Sequence, residues 1–199
     1  SSTSGMDAIA DLILPPFKSW DALICTSHAA KTLVSRMHEE VREYWRRSTG
    51  ASRFVDVQLP VIPLGVNVPA FSVTAEDKKL ARHRLSLEAS ETVFLFAGRL
   101  SFHAKANPAP MYQALEKVVA TGQKVTCIEA GIFPIEPIKA AYFAAQKALA
   151  PSVRFIWVDG SDAAQYRHAW RAADVFVSAS DNIQETFGLT PIEAMAAGL

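Results

Sequence analysis

The sequence predicts an α/β fold built on a parallel sheet, and two observations support this prediction. From about residue 92 onward, short apolar runs typical of strands alternate with stretches of helical periodicity. Glycine and polar residues cluster directly after these apolar runs. Because strand–helix–strand crossovers are right-handed and leave the strands parallel, the clusters are expected to meet at one edge of the sheet. Ligands of such sheets bind at that edge, outside the carboxyl ends of the strands.

The first part of the chain predicts one strand–helix–strand unit followed by a linker. An apolar run over 21–26 predicts a strand, and Ser27 is placed to cap a helix over 29–47. A second strand is predicted over 57–62. The stretch 64–75 is rich in proline, glycine and small residues and breaks both periodicities, so it predicts an inter-domain linker.

The second part predicts a helix and then four strand–helix units. Thr74, with Asp77 three residues later, indicates the capped start of a helix over 76–85. Strands are expected at 92–97, 124–130, 153–158 and 174–178, with helices between them at 109–120, 136–149 and 163–171. The predicted domain boundary is at residues 70 and 71, so that 1–70 and 71–199 belong to different domains.

Composition excludes some classes of function. Of the 199 residues, 50% are hydrophobic, and Lys plus Arg balance Asp plus Glu at 20 each, which argues against a nucleic-acid partner. Cys25 and Cys127 lie in apolar runs, and we interpret them as buried thiols in a reducing compartment rather than as a disulfide. The sequence shows neither a signal-peptide pattern nor an apolar run near 18 residues, so a cytoplasmic location is expected.

The last predicted unit, 174–199, has two glutamates that could face one ligand. Glu185 lies in the loop after the strand, and Glu193 lies in the first turn of a helix expected to start near residue 190. Gly188 between them allows a close approach of the backbone, and the free N–H groups at a helix start suit a diphosphate. Taken singly, Glu193 also fits a capping box with Thr190, and Glu185 also fits a solvated loop position.

The whole string ETFGLTPIEAMAAG resembles the donor-site motif of retaining glycosyltransferases of family 4. This is the group 1 family, whose members have two Rossmann-like domains in the GT-B architecture. The resemblance implies that Glu185 contacts the hydroxyls of the donor sugar and that Glu193 contacts the ribose. It also implies that the backbone of Phe187, Gly188 and Leu189 holds the diphosphate, although by themselves the two apolar side chains would be core contacts.

A second segment, Gly98-Arg99-Leu100 followed by Lys105, is similar to a cationic motif of the same family. The resemblance implies that Arg99 and Lys105 neutralise the diphosphate and stabilise the leaving group, although either cation alone would more simply lie on the surface. The residue after Lys105 is Ala106, where the family often has glycine. A looser similarity implies that Asp159 and Gly160 border the nucleobase.

Other known motifs are absent from the sequence. There is no Asp-x-Asp metal clamp, no Cys/His cluster with zinc spacing, no phosphate loop, no dinucleotide fingerprint and no Gly-x-Ser-x-Gly elbow. No metal and no other cofactor is therefore expected. The absence of these motifs argues against a kinase, a dehydrogenase or a hydrolase.

The resemblance implies a retaining transfer of a sugar from a nucleoside-diphosphate sugar to an acceptor hydroxyl. The acceptor, whether a sugar, a lipid or a small molecule, stays open, and so does a peripheral membrane contact of the full-length protein. A nucleotide-sugar epimerase of the same architecture and an inactive scaffold domain are the alternatives. The resemblance also implies that residues 1–70 are the end of the acceptor-side domain and 71–199 the beginning and middle of the donor domain, both incomplete, so the chain alone is expected to be inactive.

Overall fold

The structure is a computed structural model that describes residues 3–103, 105–180 and 187–199. The chain separates into two compact units, Ser1–Gly65 and Val66–Leu199. The division therefore falls inside the linker predicted over 64–75. None of the helices in the described part is long and apolar enough to cross a membrane.

The first unit contains two helices, α1 over Thr3–Asp11 and α2 over His28–Thr49. Helix α2 begins as predicted, because the Ser27 hydroxyl accepts a hydrogen bond from the backbone N–H of Ala30 at 3.1 Å. It ends where Gly50 takes a left-handed conformation with φ 70°.

The prediction of two regular strands in this unit is wrong. Residues 21–26 and 57–62 run parallel, but they form only two isolated bridges, Ala22 with Gln58 and Cys25 with Val61. Pro60 explains part of the shortfall, because its carbonyl accepts a hydrogen bond from the N–H of Cys25 at 2.9 Å but it has no N–H with which to continue the ladder.

The second unit contains a four-stranded parallel sheet with the strand order β3-β2-β1-β4. The strands are β1 (Thr92–Ala97), β2 (Val125–Gly131), β3 (Arg154–Asp159) and β4 (Val175–Phe176). The helices are α3 (Val68–Phe71), α4 (Ala75–Arg84), α5 (Ala109–Val119), α6 (Glu136–Leu149), α7 (Ala163–Ala172) and α8 (Leu189–Ala197). The predicted α/β class and parallel sheet are confirmed, and α3 is a short helix that the linker pattern did not predict.

Strand β4 is shorter than the predicted 174–178. The regular strand covers only Val175–Phe176, but hydrogen bonds from the N–H of Asp174 to Val93 and from the N–H of Val177 to Leu95, both 2.8 Å, continue the pairing. The side chain of Asp174 holds α4 against the sheet, because it meets Lys78 Nζ at 2.7 Å and Arg82 at 3.1 Å.

Two apolar clusters cover the two faces of the sheet. Successive residues of a strand point to opposite faces, so Leu95 of β1 and Ile128 of β2 belong to one cluster, and Phe96 and Cys127 belong to the other. Both cysteines of the chain are buried and free, as the sequence predicts. The central strands β1 and β2 are therefore largely buried on both sides, and the strand ends are left for ligand contact.

Candidate active site

A cleft of about 430 Å³ opens at the carboxyl ends of β1, β2 and β3. It lies where the sequence predicts a ligand site, because three strand ends contribute to its wall. The lining residues come from these ends and from α7, and they are Gly98, Arg99, Ala130, Gly131, Ile132, Pro134, Gly160 and Tyr166.

The floor of the cleft is bare backbone because three glycines meet there. A Cβ atom added to Gly131 would lie 1.8 Å from the carbonyl oxygen of Gly98, and one added to Gly160 would lie 3.0 Å from the Cα of Gly131. The N–H of Gly98 donates to Ala130 at 3.0 Å, and the N–H of Gly160 donates to Gly131 at 3.2 Å. Any side chain at Gly131 would force the strand ends apart.

The two cations predicted for the diphosphate both lie near Gly98. Arg99 lines the cleft directly. The Cε atom of Lys105 lies 3.9 Å from the position that a Cβ on Gly98 would take. The turn between them is closed by a hydrogen bond from the N–H of Lys105 to the carbonyl of the buried Ser101 at 2.9 Å. In the described residues, no group of three or more His, Cys, Asp or Glu side chains could hold a metal ion.

Glu193 lies on α8 and is half-buried. Desolvation by the surrounding protein raises the pKa of its carboxyl above the ordinary value. Burial also raises the pKa of Tyr166, and the negative charge of Glu193 adds to that effect. Tyr166 lines the cleft, whereas Glu193 is not among the lining residues.

The capping-box interpretation of Glu193 is wrong. Helix α8 begins at Leu189, and its N-cap is Gly188, which has a left-handed φ of 78° and no capping side chain. Thr190 is thus already the second residue of the helix, and Glu193 lies beyond the position from which a capping side chain reaches back. The glycine turn starts the helix earlier than the sequence pattern indicates.

The remaining predicted residues are only partly described. Phe187 and Gly188 are half-buried and lead into α8, whereas Leu189 is 37% exposed, and none of the three lines the cleft. Glu185 lies outside the described residues.

The carboxylate of Asp159 is engaged in the turn between β3 and α7. It accepts hydrogen bonds from the N–H of Ser161 at 2.9 Å and from its hydroxyl at 2.8 Å. These bonds from Ser161 hold the pKa of Asp159 below its ordinary value. Its neighbour Gly160 lines the cleft, whereas Asp159 does not. Only one of the two residues predicted to border the nucleobase therefore lies at the cleft.

The amino-acid sequence over residues 77–199 matches the family model of the glycosyl transferases group 1. The chain belongs to the group 1 glycosyltransferases. The match includes β1 to β4, the cleft and α8, that is, most of the second unit. A comparison with curated protein sequences finds no match.

Solved structures similar to this group 1 glycosyltransferase share its fold. Alr3699/HepE of Anabaena in complex with UDP-glucose is 21% identical, with a TM-score of 0.64 over 100% of this chain and 48% of that chain. WaaG, a glycosyltransferase involved in lipopolysaccharide biosynthesis, is 15% identical, with a TM-score of 0.55 over 92% and 56%. The N-terminal domain of Candida albicans trehalose-6-phosphate phosphatase is 11% identical, with a TM-score of 0.55 over 89% and 41%. The chain spans about half the length of these proteins.

Sequence reasoning did not single out Ile132, Pro134 and Tyr166, which line the cleft of this glycosyltransferase. Ala130 and Gly131, which also line it, lie at the end of a predicted strand, where the sequence predicts part of the ligand edge. Ile132 and Pro134 follow in the loop after that strand. Tyr166 had no signal, because only the packing of α7 brings it to the cleft.

Proposed function

We propose that the intact protein transfers a sugar from a nucleoside-diphosphate sugar to an acceptor hydroxyl with retention of configuration, as a family 4 member of its group. The observation that carries the proposal is the cleft at three strand ends, with Arg99 in its wall and Lys105 beside Gly98. The similarity to Alr3699/HepE, which was solved with UDP-glucose, supports a nucleotide-sugar donor.

The chemistry of the transfer requires a stabilised leaving group. When the bond from the sugar to the diphosphate breaks, negative charge accumulates on the departing phosphate. Two cations near that phosphate, Arg99 and Lys105, would lower the barrier by electrostatic stabilisation. We propose that these side chains take the place of a metal ion. The bare backbone at Gly131 and Gly160 leaves room for the ligand to lie close to the strand ends.

Glu193 is proposed to bind the ribose. A half-buried carboxylate accepts hydrogen bonds from a pair of hydroxyls, and it does so best when it is ionised. Its raised pKa means that ribose binding should weaken as the pH falls through that pKa. Glu185 remains the proposed contact of the donor sugar. For retention, we propose that the leaving phosphate assists deprotonation of the acceptor and that no covalent glycosyl-enzyme forms.

The fold alone does not decide between a transferase and another sugar-nucleotide protein. The similarity to a domain of a trehalose-6-phosphate phosphatase illustrates this point. A nucleotide-sugar epimerase and an inactive scaffold are the alternatives. We further propose that residues 1–70 belong to the acceptor-side domain, that the chain alone is inactive, and that the protein is cytoplasmic.

Calorimetric titration of UDP, GDP and ADP into the chain, in buffer containing EDTA, tests the donor site. We expect one nucleotide to bind, and Arg99→Ala to weaken it by about 10- to 100-fold, the usual loss for a hydrogen bond to a charged group. Arg84→Ala is the matched control, because Arg84 is an exposed arginine at the end of α4 in the same unit. Glu193→Gln keeps the shape of the side chain and is expected to weaken binding without unfolding the protein.

Two outcomes would contradict the proposal. If the folded chain binds none of the three nucleotides, the donor-site assignment is refuted. If binding requires a divalent ion, the proposal that Arg99 and Lys105 suffice is refuted. With the full-length protein, release of free nucleoside diphosphate together with a glycosylated acceptor supports a transferase, whereas a changed sugar on an intact donor supports the epimerase.

A further inference from the structure

Two loops of the second unit face the cleft together. The loop after β1, which begins at residue 98, contributes Arg99, and the loop after β2, residues 132–135, contributes Ile132. A hydrogen bond from the N–H of Leu100 to the carbonyl of Ile132, 3.1 Å long, joins the two loops directly. The width of the cleft therefore depends on how these loops are held relative to one another.

One side chain from α6 contacts both loops. Tyr142 is 1% exposed, and its ring lies 5.2 Å from the ring of Phe133 in a T-shaped arrangement and 6.2 Å from the ring of Phe102 in a tilted one. Phe102 belongs to the loop after β1 and Phe133 to the loop after β2. Such aromatic pairs attract each other beyond the effect of area burial, and they depend on ring geometry.

The same aromatic cluster reaches the floor of the cleft. The ring of Phe133 lies 5.7 Å from that of Trp157 on β3. The indole N–H of Trp157 donates a hydrogen bond to the carbonyl of Gly131 at 3.1 Å. A displacement of Tyr142 would thus be felt at Phe102 and Phe133 and, through Trp157, at the glycine floor.

In the described part of the chain, the buried hydroxyl of Tyr142 makes no hydrogen bond that would account for a tyrosine at this position. Burial raises the pKa of Tyr142, and the nearby charge of Glu129 adds to the effect, so the phenol stays protonated at neutral pH. A buried hydroxyl without a partner costs stability, so the contribution of Tyr142 to the loops comes from its ring.

We propose that Tyr142 is a positioning residue of the cleft, whose ring holds the loop after β1 and the loop after β2 in one relative arrangement. Arg99 is then presented at a fixed distance from the backbone of the second loop. The consequence for nucleotide binding rests on the proposed function. The mechanical role does not, because it concerns only contacts within the chain.

Hydrogen exchange of the chain without nucleotide tests the mechanical role. Tyr142→Leu removes the ring and keeps an apolar side chain, and we expect amides in 99–103 and 132–133 to exchange about tenfold faster. Tyr142→Phe keeps both ring contacts and is expected to leave this exchange unchanged. Leu115→Ala is the matched control for a general loss of packing, because Leu115 is 3% exposed in the same apolar cluster.

Two exchange results would contradict the positioning role of Tyr142. If Tyr142→Leu accelerates exchange in only one loop, or no more in the loops than Leu115→Ala does at equal loss of stability, Tyr142 is an ordinary core residue. Acceleration in both loops, with Tyr142→Phe unchanged, supports the positioning role.

A calorimetric titration with UDP, GDP and ADP then tests the consequence for binding. We expect Tyr142→Leu to weaken the nucleotide that binds, and Tyr142→Phe to bind it like the unaltered chain. Unchanged binding in Tyr142→Leu, despite loosened loops, would overturn the link between Tyr142 and the site. If the unaltered chain binds no nucleotide, the proposed function fails, while the exchange data still decide the role of Tyr142.

Discussion

Glu129 allows a quantitative prediction about pH and stability. It lies on β2 and is fully buried. The hydroxyl of Tyr112 and the amide of Gln146, the latter at 2.8 Å, donate hydrogen bonds to it. Desolvation outweighs these two bonds and raises the pKa of Glu129 from 4.5 to about 7. The perturbation is Glu129→Gln, which removes the titrating proton and keeps the shape.

The expected change in the free energy of unfolding follows from the difference between the folded and the ordinary pKa of Glu129. Because the folded pKa is raised, the proton on Glu129 stabilises the fold fully below pH 4.5, and this contribution is lost as the pH rises through 7. A shift from 4.5 to about 7 corresponds to about 3 kcal/mol, at about 1.4 kcal/mol per pH unit. Most of that loss, about 2.5 kcal/mol, falls between about pH 5 and pH 8.

Urea unfolding at pH 5, 6, 7 and 8, followed by circular dichroism and tryptophan fluorescence, measures the effect. The free energy of unfolding of the unaltered chain minus that of Glu129→Gln should fall by about 2.5 kcal/mol across this range, since the other titrating groups cancel. Glu88→Gln is the control. A hydrogen bond from Lys124 lowers the pKa of Glu88, so Glu88 stays ionised and its difference should be flat. A flat or rising difference for Glu129→Gln would refute the reasoning.

Three further substitutions test the construction of the second unit by urea unfolding. Gly131→Ala should cost about 3 kcal/mol, because its Cβ would lie 1.8 Å from the carbonyl oxygen of Gly98; a cost below about 1 kcal/mol would contradict that close approach. Asp174→Ala should cost about 2 kcal/mol by leaving Arg82, whose side chain is 12% exposed, without its carboxylate partner. A fully stable variant would show that the ion pair contributes nothing. Thr74→Ala should cost about 1 kcal/mol through loss of the helix cap, and Thr74→Ser should restore it.

The candidate site was predictable where its signal is local in the chain. Gly98 and Arg99 follow an apolar run, and the parallel topology implied by the alternation brings that strand end to the ligand edge. Gly160 follows the same logic. Tyr166 could not be predicted in this way, because it is seven residues beyond the end of β3 and reaches the cleft only through the packing of α7.

Local patterns also misled where two of them compete. Thr190 and Glu193 have the spacing of a capping box, yet the left-handed turn at Gly188 starts α8 at Leu189. The strand predicted over 57–62 has the required apolar residues, but Pro60 cannot donate a ladder hydrogen bond. In both places a single residue with special backbone geometry overrides the pattern around it.

The sequence by itself determined the α/β class and the order of strands and helices from α4 onward. These properties follow from periodicity and from residue types, which act over a few neighbouring positions. Only the tertiary structure decided that Glu129 is enclosed with Tyr112, that Tyr142 touches both loops of the cleft and that Asp159 is bound within its own turn. The physical reason is that desolvation and ring contact depend on which distant segments pack together, and one chain's local pattern does not specify those partners.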